Sequence, residues 1–385
     1  MAVYELDSFL RLSAVLNYQL SAAALGSGNI VALLLEDKPL SPYERDTLLG
    51  VLKYLGRAYG TKRRRLGPLS ILHPIRATAL LARAEEEANL IDIMAELLHD
   101  KLEDISADHF SPEEWNELEE EFRGLLKRVD PTDEWFLMER LELLKRHEEG
   151  QTYCQYIGRM LGQGKQMPDP VRVKLADRLD NTLDMRVDIH DPLDGVDFFS
   201  HIFQLLFVGS YTGYKPEPAH PPKSPINGAQ RLYELFKNTV LLSLVRQKAD
   251  TSEDTAASRL FNAIAAASMK EAQRTIMHIF GYHVTDIAEQ KRILEEAMAY
   301  CVQGGFDVVT TANQGQRLDG LFVGCFDHHD SSIRKEQLRV LYKDKPLMVQ
   351  ASVAFIVIFL SFLGDEKYYV RGITPEGIRP EPIES

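Results

Sequence analysis

Residues 97–104, LLHDKLED, place one imidazole and three carboxylates within a short stretch of predicted helix. A neutral imidazole nitrogen and a carboxylate oxygen are both good ligands for a divalent transition metal. Adjacent residues of a helix point about 100° apart, so His99 and Asp100 can share an ion only at the helix edge. Four residues further on, Glu103 and Asp104 are suited to deprotonating a water molecule rather than to binding the ion.

The other ligands of such an ion must come from elsewhere in the chain. His73 precedes Pro74 at the start of a predicted helix. Asp177 stands among apolar residues in VKLADRLDNT, where an aspartate is costly to bury unless a positive group pairs with it. A metal ion, Lys174 or Arg178 would each supply that charge. The residues alone therefore fit either a metal site or a satisfied polar core.

The order of these four residues resembles that of the metal ligands in the HD-domain phosphohydrolases. Three strings are similar to segments of the RelA/SpoT-type (p)ppGpp hydrolase domain: GPLSILHPIRATALLA, AELLHDKLED and VKLADRLDNT. The resemblance covers roughly residues 41–187, under half of the chain. It implies a helical HD-domain bundle that carries out metal-assisted hydrolysis.

The resemblance also implies a role for each matched residue. His73, His99, Asp100 and Asp177 would bind one metal ion, usually Mn²⁺, or another divalent transition metal. Glu103 and Asp104 would activate the attacking water. The leading substrate would be a phosphorylated nucleotide, with guanosine 3',5'-bis(diphosphate) 3'-pyrophosphohydrolase activity.

A basic cluster, KRRR, precedes His73 in an otherwise acidic protein. Arginine matches phosphate oxygens with its planar fork, and lysine adds a point charge. We expect at least one member of the cluster to bind a phosphate, although a solvated loop is the alternative. The predicted substrate-binding residues are Lys62, Arg63, Arg64, Arg65, Lys174, Arg178 and Asn181.

The chain departs from the resembled family in the walls of the expected nucleotide pocket. Asp180 stands where those hydrolases usually carry a histidine, and Ile105 follows the Glu-Asp pair where they commonly carry a threonine. Another HD-type nucleotide phosphohydrolase and a non-catalytic nucleotide-binding regulatory module are therefore alternatives. The retained Glu103 and Asp104 favour an enzyme, because a binding module needs no water-activating pair.

Composition excludes several other classes of protein. A net charge of −13 argues against a general nucleic-acid binder. Three widely spaced cysteines imply neither a disulfide framework nor a zinc ribbon, and the first residues do not resemble a signal peptide. We expect a cytoplasmic protein without a membrane span, in which the uncharged segment 348–364 is a buried helix or strand. The oligomeric state is not predicted.

The length of 385 residues predicts more than one domain in a mainly α fold. The expected parts are an N-terminal helical extension (1–40), the HD phosphohydrolase-like domain (41–208), a Pro/Gly-rich linker (209–228) and a mostly helical C-terminal domain with a possible small β-sheet (229–385). Ser41-Pro42 and Ser111-Pro112 predict capped helix starts. The candidate strands are FDVVTT, GLFVGCF and KYYVRGI.

Two histidines of the C-terminal part, His278 and His283, lie on an apolar background. A hydrogen-bonded core histidine is the usual outcome for such a position, so we assign them no function.

Overall fold

The fold is mainly α-helical, as predicted. The computed structural model of the protein describes residues 2–21, 27–35, 38–64, 69–85, 89–146, 150–163, 169–185, 191–248, 254–304, 309–310 and 316–379. The helices up to residue 144 are α1 (Ala2–Ser21), α2 (Ser27–Leu35), α3 (Pro42–Tyr59), α4 (Leu72–Ala84), α5 (Leu90–Leu98), α6 (Lys101–Asp104), α7 (Pro112–Leu126) and α8 (Pro131–Leu144).

The later part of the chain is also helical apart from one pair of very short strands. Its helices are α9 (Tyr153–Gln163), α10 (Asp169–Asp184), α11 (Phe198–Phe207), α12 (Gly228–Lys248), α13 (Thr255–Tyr282), α14 (Ile287–Gly304), α15 (Leu321–Cys325), α16 (Ser331–Lys343) and α17 (Lys345–Gly364). Strand β1 (Ile373–Thr374) pairs with β2 (Gly377–Ile378) in antiparallel register.

Both predicted capping signatures are confirmed. The Ser41 hydroxyl accepts a hydrogen bond from the Glu44 backbone N–H at 3.2 Å, and the Glu44 carboxylate accepts one from the Ser41 N–H at 2.8 Å. Ser111 and Glu114 form the same reciprocal pair at the start of α7. Each pair satisfies two N–H groups that a helix start otherwise leaves without partners.

The chain divides into two compact units that are not continuous in sequence. Unit 1 comprises Met1–His147, Met160–Leu183 and Asp250–Ala263, and unit 2 comprises Glu148–Arg159, Asp184–Ala249 and Ile264–Ser385. This division differs from the predicted one, which placed residues 184–208 with the first domain and residues 250–263 with the second. An ion pair shows how a segment distant in sequence belongs to unit 1: Arg172 Nε of α10 lies 2.8 Å from Asp254 Oδ2.

Unit 1 is built around α4 and α5, which pack against each other. Helices α1 and α2 cover α4, while α3 and α8 contact α5. Leu80 and Leu98 are wholly buried at the centre of this packing. The apolar surface removed from water in this core is the main favourable term that fixes these helices, and hence the side chains at their ends.

Unit 2 packs around α17, the helix formed by the uncharged segment 348–364. This is the one helix among the described residues that is long and apolar enough to cross a membrane, and 67% of its most apolar window is buried inside the protein. It contacts α12, α14 and α16. Phe355 and Phe359 of α17 are both fully buried, and Phe355 stacks on Phe322 with ring centroids 5.5 Å apart.

The predicted strands are mostly wrong. GLFVGCF forms α15, because a short apolar run does not distinguish a strand from a buried helical turn. Of KYYVRGI only Ile373 belongs to a strand. Most of FDVVTT lies outside the described residues. The predicted linker has neither helix nor strand from residue 209 to residue 227, as expected for a segment rich in proline and glycine.

Candidate metal centre

The four predicted metal ligands come from three places in unit 1. His73 lies in the first turn of α4, and Asp177 lies in the middle of α10. His99 and Asp100 occupy the turn between α5 and α6. His73, His99 and Asp177 are each at least 96% buried, whereas the Asp100 side chain is 26% exposed, which leaves the centre one open side.

A break in the helix lets the two adjacent residues face one point. Helix α5 ends at Leu98 and α6 begins at Lys101, so the continuous helix expected through LLHDKLED is wrong. Asp100 has φ −89° and ψ 2°, between the helical and extended regions. This turn changes the direction of the side chains. His99 and Asp100 can therefore face the same point, which two adjacent residues of a continuous helix could do only at the edge of that helix.

The two imidazole nitrogens lie close to each other and to an oxygen of each aspartate. The two Nε2 atoms of His73 and His99 are 3.2 Å apart. Oδ1 of Asp177 lies 3.2 Å from His73 Nε2 and 3.8 Å from His99 Nε2. Asp100 approaches the same nitrogens at 3.1 Å from His99 and 3.5 Å from His73.

These separations fit a shared divalent ion. Nitrogen and oxygen ligands lie about 2.1 Å from such an ion, so two donors at right angles around it are about 3 Å apart. His73, His99 and Asp177 form a group whose donor atoms all lie within 4.8 Å of one another. The structure therefore brings together the residues that the sequence singled out, while their binding of a metal stays a prediction.

A buried carboxylate and guanidinium orient His73. Nδ1 of His73 lies 2.7 Å from Oδ2 of Asp180. Arg76 donates to both oxygens of that carboxylate, from Nε at 2.8 Å and Nη2 at 3.0 Å. Burial would raise the pKa of Asp180, but Arg76 and His73 hold that pKa well below its ordinary value. An ionised Asp180 accepts the Nδ1 proton and directs the Nε2 lone pair of His73 to the centre.

Glu96 orients the second imidazole through its backbone. The carbonyl oxygen of Glu96 lies 2.7 Å from His99 Nδ1, so that nitrogen donates and Nε2 faces the other side chains of the centre. The Glu96 carboxyl group is fully buried and accepts no hydrogen bond from the described residues. Burial raises its pKa well above the ordinary value, which keeps it neutral beside the centre.

The carboxylates of the centre attract positive charge. Burial opposes protonation of His99, but the carboxylates of Asp100 and Asp177 raise the His99 pKa to about 10. Burial likewise disfavours an ionised Asp177, yet Lys174, whose Nζ lies 2.6 Å from Asp177 Oδ2, and the two histidines hold the Asp177 pKa well below its usual range. The side chains thus favour positive charge at the point where they meet.

Besides Lys174, two other predicted substrate-binding residues border the centre. Asn181 donates to Asp177 Oδ1 at 2.5 Å, one helical turn further along α10. Arg64 donates from Nη2 to Asn181 Oδ1 at 2.6 Å, and its Nη1 lies 3.7 Å from Asp180 Oδ2. Of the described members of the basic cluster, Arg64 is thus the one that reaches the centre.

The two predicted catalytic carboxylates, Glu103 and Asp104, lie beside the centre. Among the described residues, neither carboxylate is bonded to a donor atom of the centre. The Glu103 carboxylate accepts a hydrogen bond from the Arg146 backbone N–H at 2.5 Å. Desolvation raises the pKa of Glu103, while the positive charge of Lys174 acts to lower it. The Asp104 side chain is 45% exposed, and Lys62 Nζ lies 3.6 Å from its Oδ1. Water from the open side can therefore reach Asp104.

The remaining predicted residues differ in accessibility. Arg63 is exposed and pairs through its backbone with Leu69. Arg178 is buried within α10. Arg65 lies outside the described residues.

Sequence reasoning missed the partners that orient the imidazoles. Asp180 was noted only as a departure from the resembled family, and neither Arg76 nor Glu96 was singled out. Each is a charged residue type at an apolar-face position of its helix, and each is at least 99% buried. A buried charge requires a partner, so this pattern is the signal that would have found them.

No protein-family model matches this chain, and no curated protein sequence matches it.

Proposed function

We propose that this protein is a metal-dependent phosphohydrolase that acts on a phosphorylated nucleotide. The leading version is a guanosine 3',5'-bis(diphosphate) 3'-pyrophosphohydrolase, as the sequence resemblance to the RelA/SpoT-type hydrolase domain implies. The proposed ligands of a Mn²⁺ or similar ion are His73, His99, Asp100 and Asp177.

The approach of two imidazole nitrogens carries the proposal. Nε2 of His73 and Nε2 of His99 are 3.2 Å apart, and both rings donate through Nδ1 to other partners. At this distance the two nitrogens share either a proton or a metal ion, because two unprotonated nitrogens facing each other would repel. Two carboxylates converge on the same point, so a divalent cation matches the number and type of the donors.

A divalent ion bound there would supply a Lewis acid that lowers the pKa of water and polarises a phosphoryl oxygen. The chain's own contribution is orientation and proton transfer. Asp180 and Glu96 orient the two rings. Asp104, with Glu103 beside it, would accept the proton of an attacking water.

The surroundings of the centre support an anionic substrate. Arg64 and Lys62 lie on the segment before α4 and reach Asn181 and Asp104, which flank the centre. A guanidinium and an ammonium that flank the centre provide the contacts that phosphate oxygens need. Displacement of Arg64 from Asn181 by a substrate would free the amide for a sugar hydroxyl.

A direct assay tests the proposal. The full-length chain, loaded with Mn²⁺, is incubated with a panel of phosphorylated nucleotides that includes guanosine tetraphosphate, and released phosphate and pyrophosphate are measured. Release of either product that stops with a chelator and returns with Mn²⁺ supports the proposal. Nucleotide binding without any product would instead favour the regulatory-module alternative.

A further inference from the structure

Unit 2 contains a cavity of about 520 Å³ that is unrelated to the metal centre. Its walls come from α12, α13, the start of α17 and the proline-rich segment before α12. This volume lies in the range of pockets that hold small organic ligands, about 300–1,000 Å³.

Permanent positive charges outnumber negative ones in the walls. The cavity is lined by four cationic side chains and two carboxylates, with two histidines in addition. These residues are Lys223, Arg231, Arg274, Lys345, Asp191, Glu271, His278 and His283. A concave surface with excess positive charge and low-dielectric walls concentrates anions.

The carboxylates are occupied in holding the arginines in place. Glu271 is 1% exposed and accepts from Arg231 Nη1 at 2.5 Å and from Arg274 Nη1 at 3.4 Å. Asp191 accepts from Arg274 Nε at 2.9 Å. Within the described residues Arg274 makes no other hydrogen bond, so the donors of its Nη2 group are available. The network presents a rigid guanidinium rather than a mobile one.

The two lysines of the cavity, Lys223 and Lys345, have no carboxylate partner among the described residues. Lys345 Nζ donates to the Tyr342 carbonyl at 2.6 Å and lies 3.3 Å from the centroid of the Tyr342 ring.

Burial, together with the positive charges of His283, Arg231 and Lys345, lowers the pKa of His278 to about 4. His278 is therefore a neutral hydrogen-bonding group at pH 7, in surroundings whose net charge is positive.

Apolar side chains complete the remaining walls. Most of them are well buried, and proline supplies several of them without adding polar groups. They are Met185, Pro192, Pro221, Pro222, Ile226, Ile279 and Met348. A ligand that fills this space therefore needs an apolar body as well as a negative group.

We propose that this cavity is a binding site for a small amphiphilic organic anion. Its carboxylate or phosphate group would bind to Arg274, Lys345 and Lys223, and its apolar body would lie against Ile279 and Met348. The cavity explains His278 and His283, to which the sequence assigned no function. The inference is independent of the proposed hydrolysis.

A pair of fluorescent probes tests the charge requirement in the full-length chain. The anion 8-anilino-1-naphthalenesulfonate and the neutral N-phenyl-1-naphthylamine have the same aromatic body and differ in the sulfonate. We expect the anion to bind at least about tenfold more tightly than the neutral probe, because one charge-assisted hydrogen bond contributes about that much to affinity. Equal dissociation constants for the two probes would overturn the proposal.

Charge-removal variants locate the binding. Lys223→Gln combined with Lys345→Gln should weaken binding of the anionic probe by about tenfold or more and leave the neutral probe within about twofold. Lys291→Gln is the matched control, because Lys291 carries the same charge in unit 2 but does not line the cavity. An unchanged dissociation constant in the double variant would contradict the assignment.

Two further measurements make the test independent of any one variant. Ile279→Trp, checked for folding by circular dichroism, should fill the cavity and abolish binding of the anionic probe. In the wild type, octanoate or octyl phosphate should displace that probe at concentrations where octanol does not. Whichever anion displaces it identifies the head group, whereas equal displacement by octanol would refute an anion site.

Discussion

Nδ1 of His73 lies 2.7 Å from Oδ2 of Asp180, on the side of the ring opposite the nitrogen that approaches His99 and Asp177. Asp180 is fully buried and is also held by both ends of the Arg76 guanidinium. The proposed metal ligand is thus supported from behind by a rigid ion pair. Partners of this kind set the tautomer and direction of a ligating imidazole.

The Asp180→Asn variant tests this support. An amide cannot hold the Nδ1 proton as a carboxylate does, so we expect Mn²⁺ affinity to fall about 10–100-fold. Thr182→Val is a matched control, because Thr182 is buried on the same helix and its hydroxyl donates to the Arg178 carbonyl. If both variants bind Mn²⁺ as the wild type does, Asp180 does not position His73.

Asp104→Ala separates catalysis from metal binding. Removing a general base typically costs 10²–10⁴-fold in rate, and we expect a loss of about that size in turnover. The metal content measured by elemental analysis should stay close to the wild-type value, because Asp104 contacts Lys62 rather than the donor atoms. Unchanged turnover would exclude this residue as the base.

Arg64 and Arg63 provide a comparison within the basic cluster. The Arg64 side chain reaches Asn181, whereas Arg63 is exposed. We expect Arg64→Ala to raise KM for the nucleotide by about tenfold or more, and Arg63→Ala to change it much less. Steady-state kinetics with the active nucleotide checks this order, and the reverse order would show that substrate approaches from a different direction.

Glu85 predicts a pH dependence of stability in unit 1. Burial and the nearby charge of Asp92 raise the pKa of Glu85 from 4.5 to about 7, although Arg172 lies 2.9 Å away and opposes this shift. Between these two values the folded chain keeps a proton that the unfolded chain has released. The free energy of unfolding must therefore fall as pH rises through this window.

The expected loss is up to about 3 kcal/mol between pH 4.5 and 7. Urea unfolding of the wild type and of Glu85→Gln measures it, since the amide has no proton to release and should remove this component of the slope. A pH dependence that is identical in the two proteins would show that Glu85 does not carry the effect.

The sequence predicted the residues of the centre better than the local structure around them. The sequence resemblance, rather than residue type alone, predicted that His73, His99, Asp100 and Asp177 meet; from residue type a polar core was equally possible. The break between α5 and α6 was not predicted. LLHDKLED contains no glycine or proline to mark a turn, and tertiary packing overrides its helical preference.

The division of the chain shows a second limit. The proline-rich stretch 209–228 marks a real interruption of helical structure, yet unit 1 recruits residues 250–263 from beyond it. Contacts such as that between Arg172 and Asp254 join segments more than 80 positions apart. Composition marks where a helix stops, but it carries no information about which distant segment packs against which.

Elemental analysis of the purified chain tests the shared ion most directly. After loading with Mn²⁺ and gel filtration, we expect about one ion per chain in the wild type and in His109→Ala, which removes an exposed imidazole. His99→Ala should contain only background metal while retaining its helical circular dichroism. A full complement of metal in His99→Ala, or none in the wild type, would contradict the account.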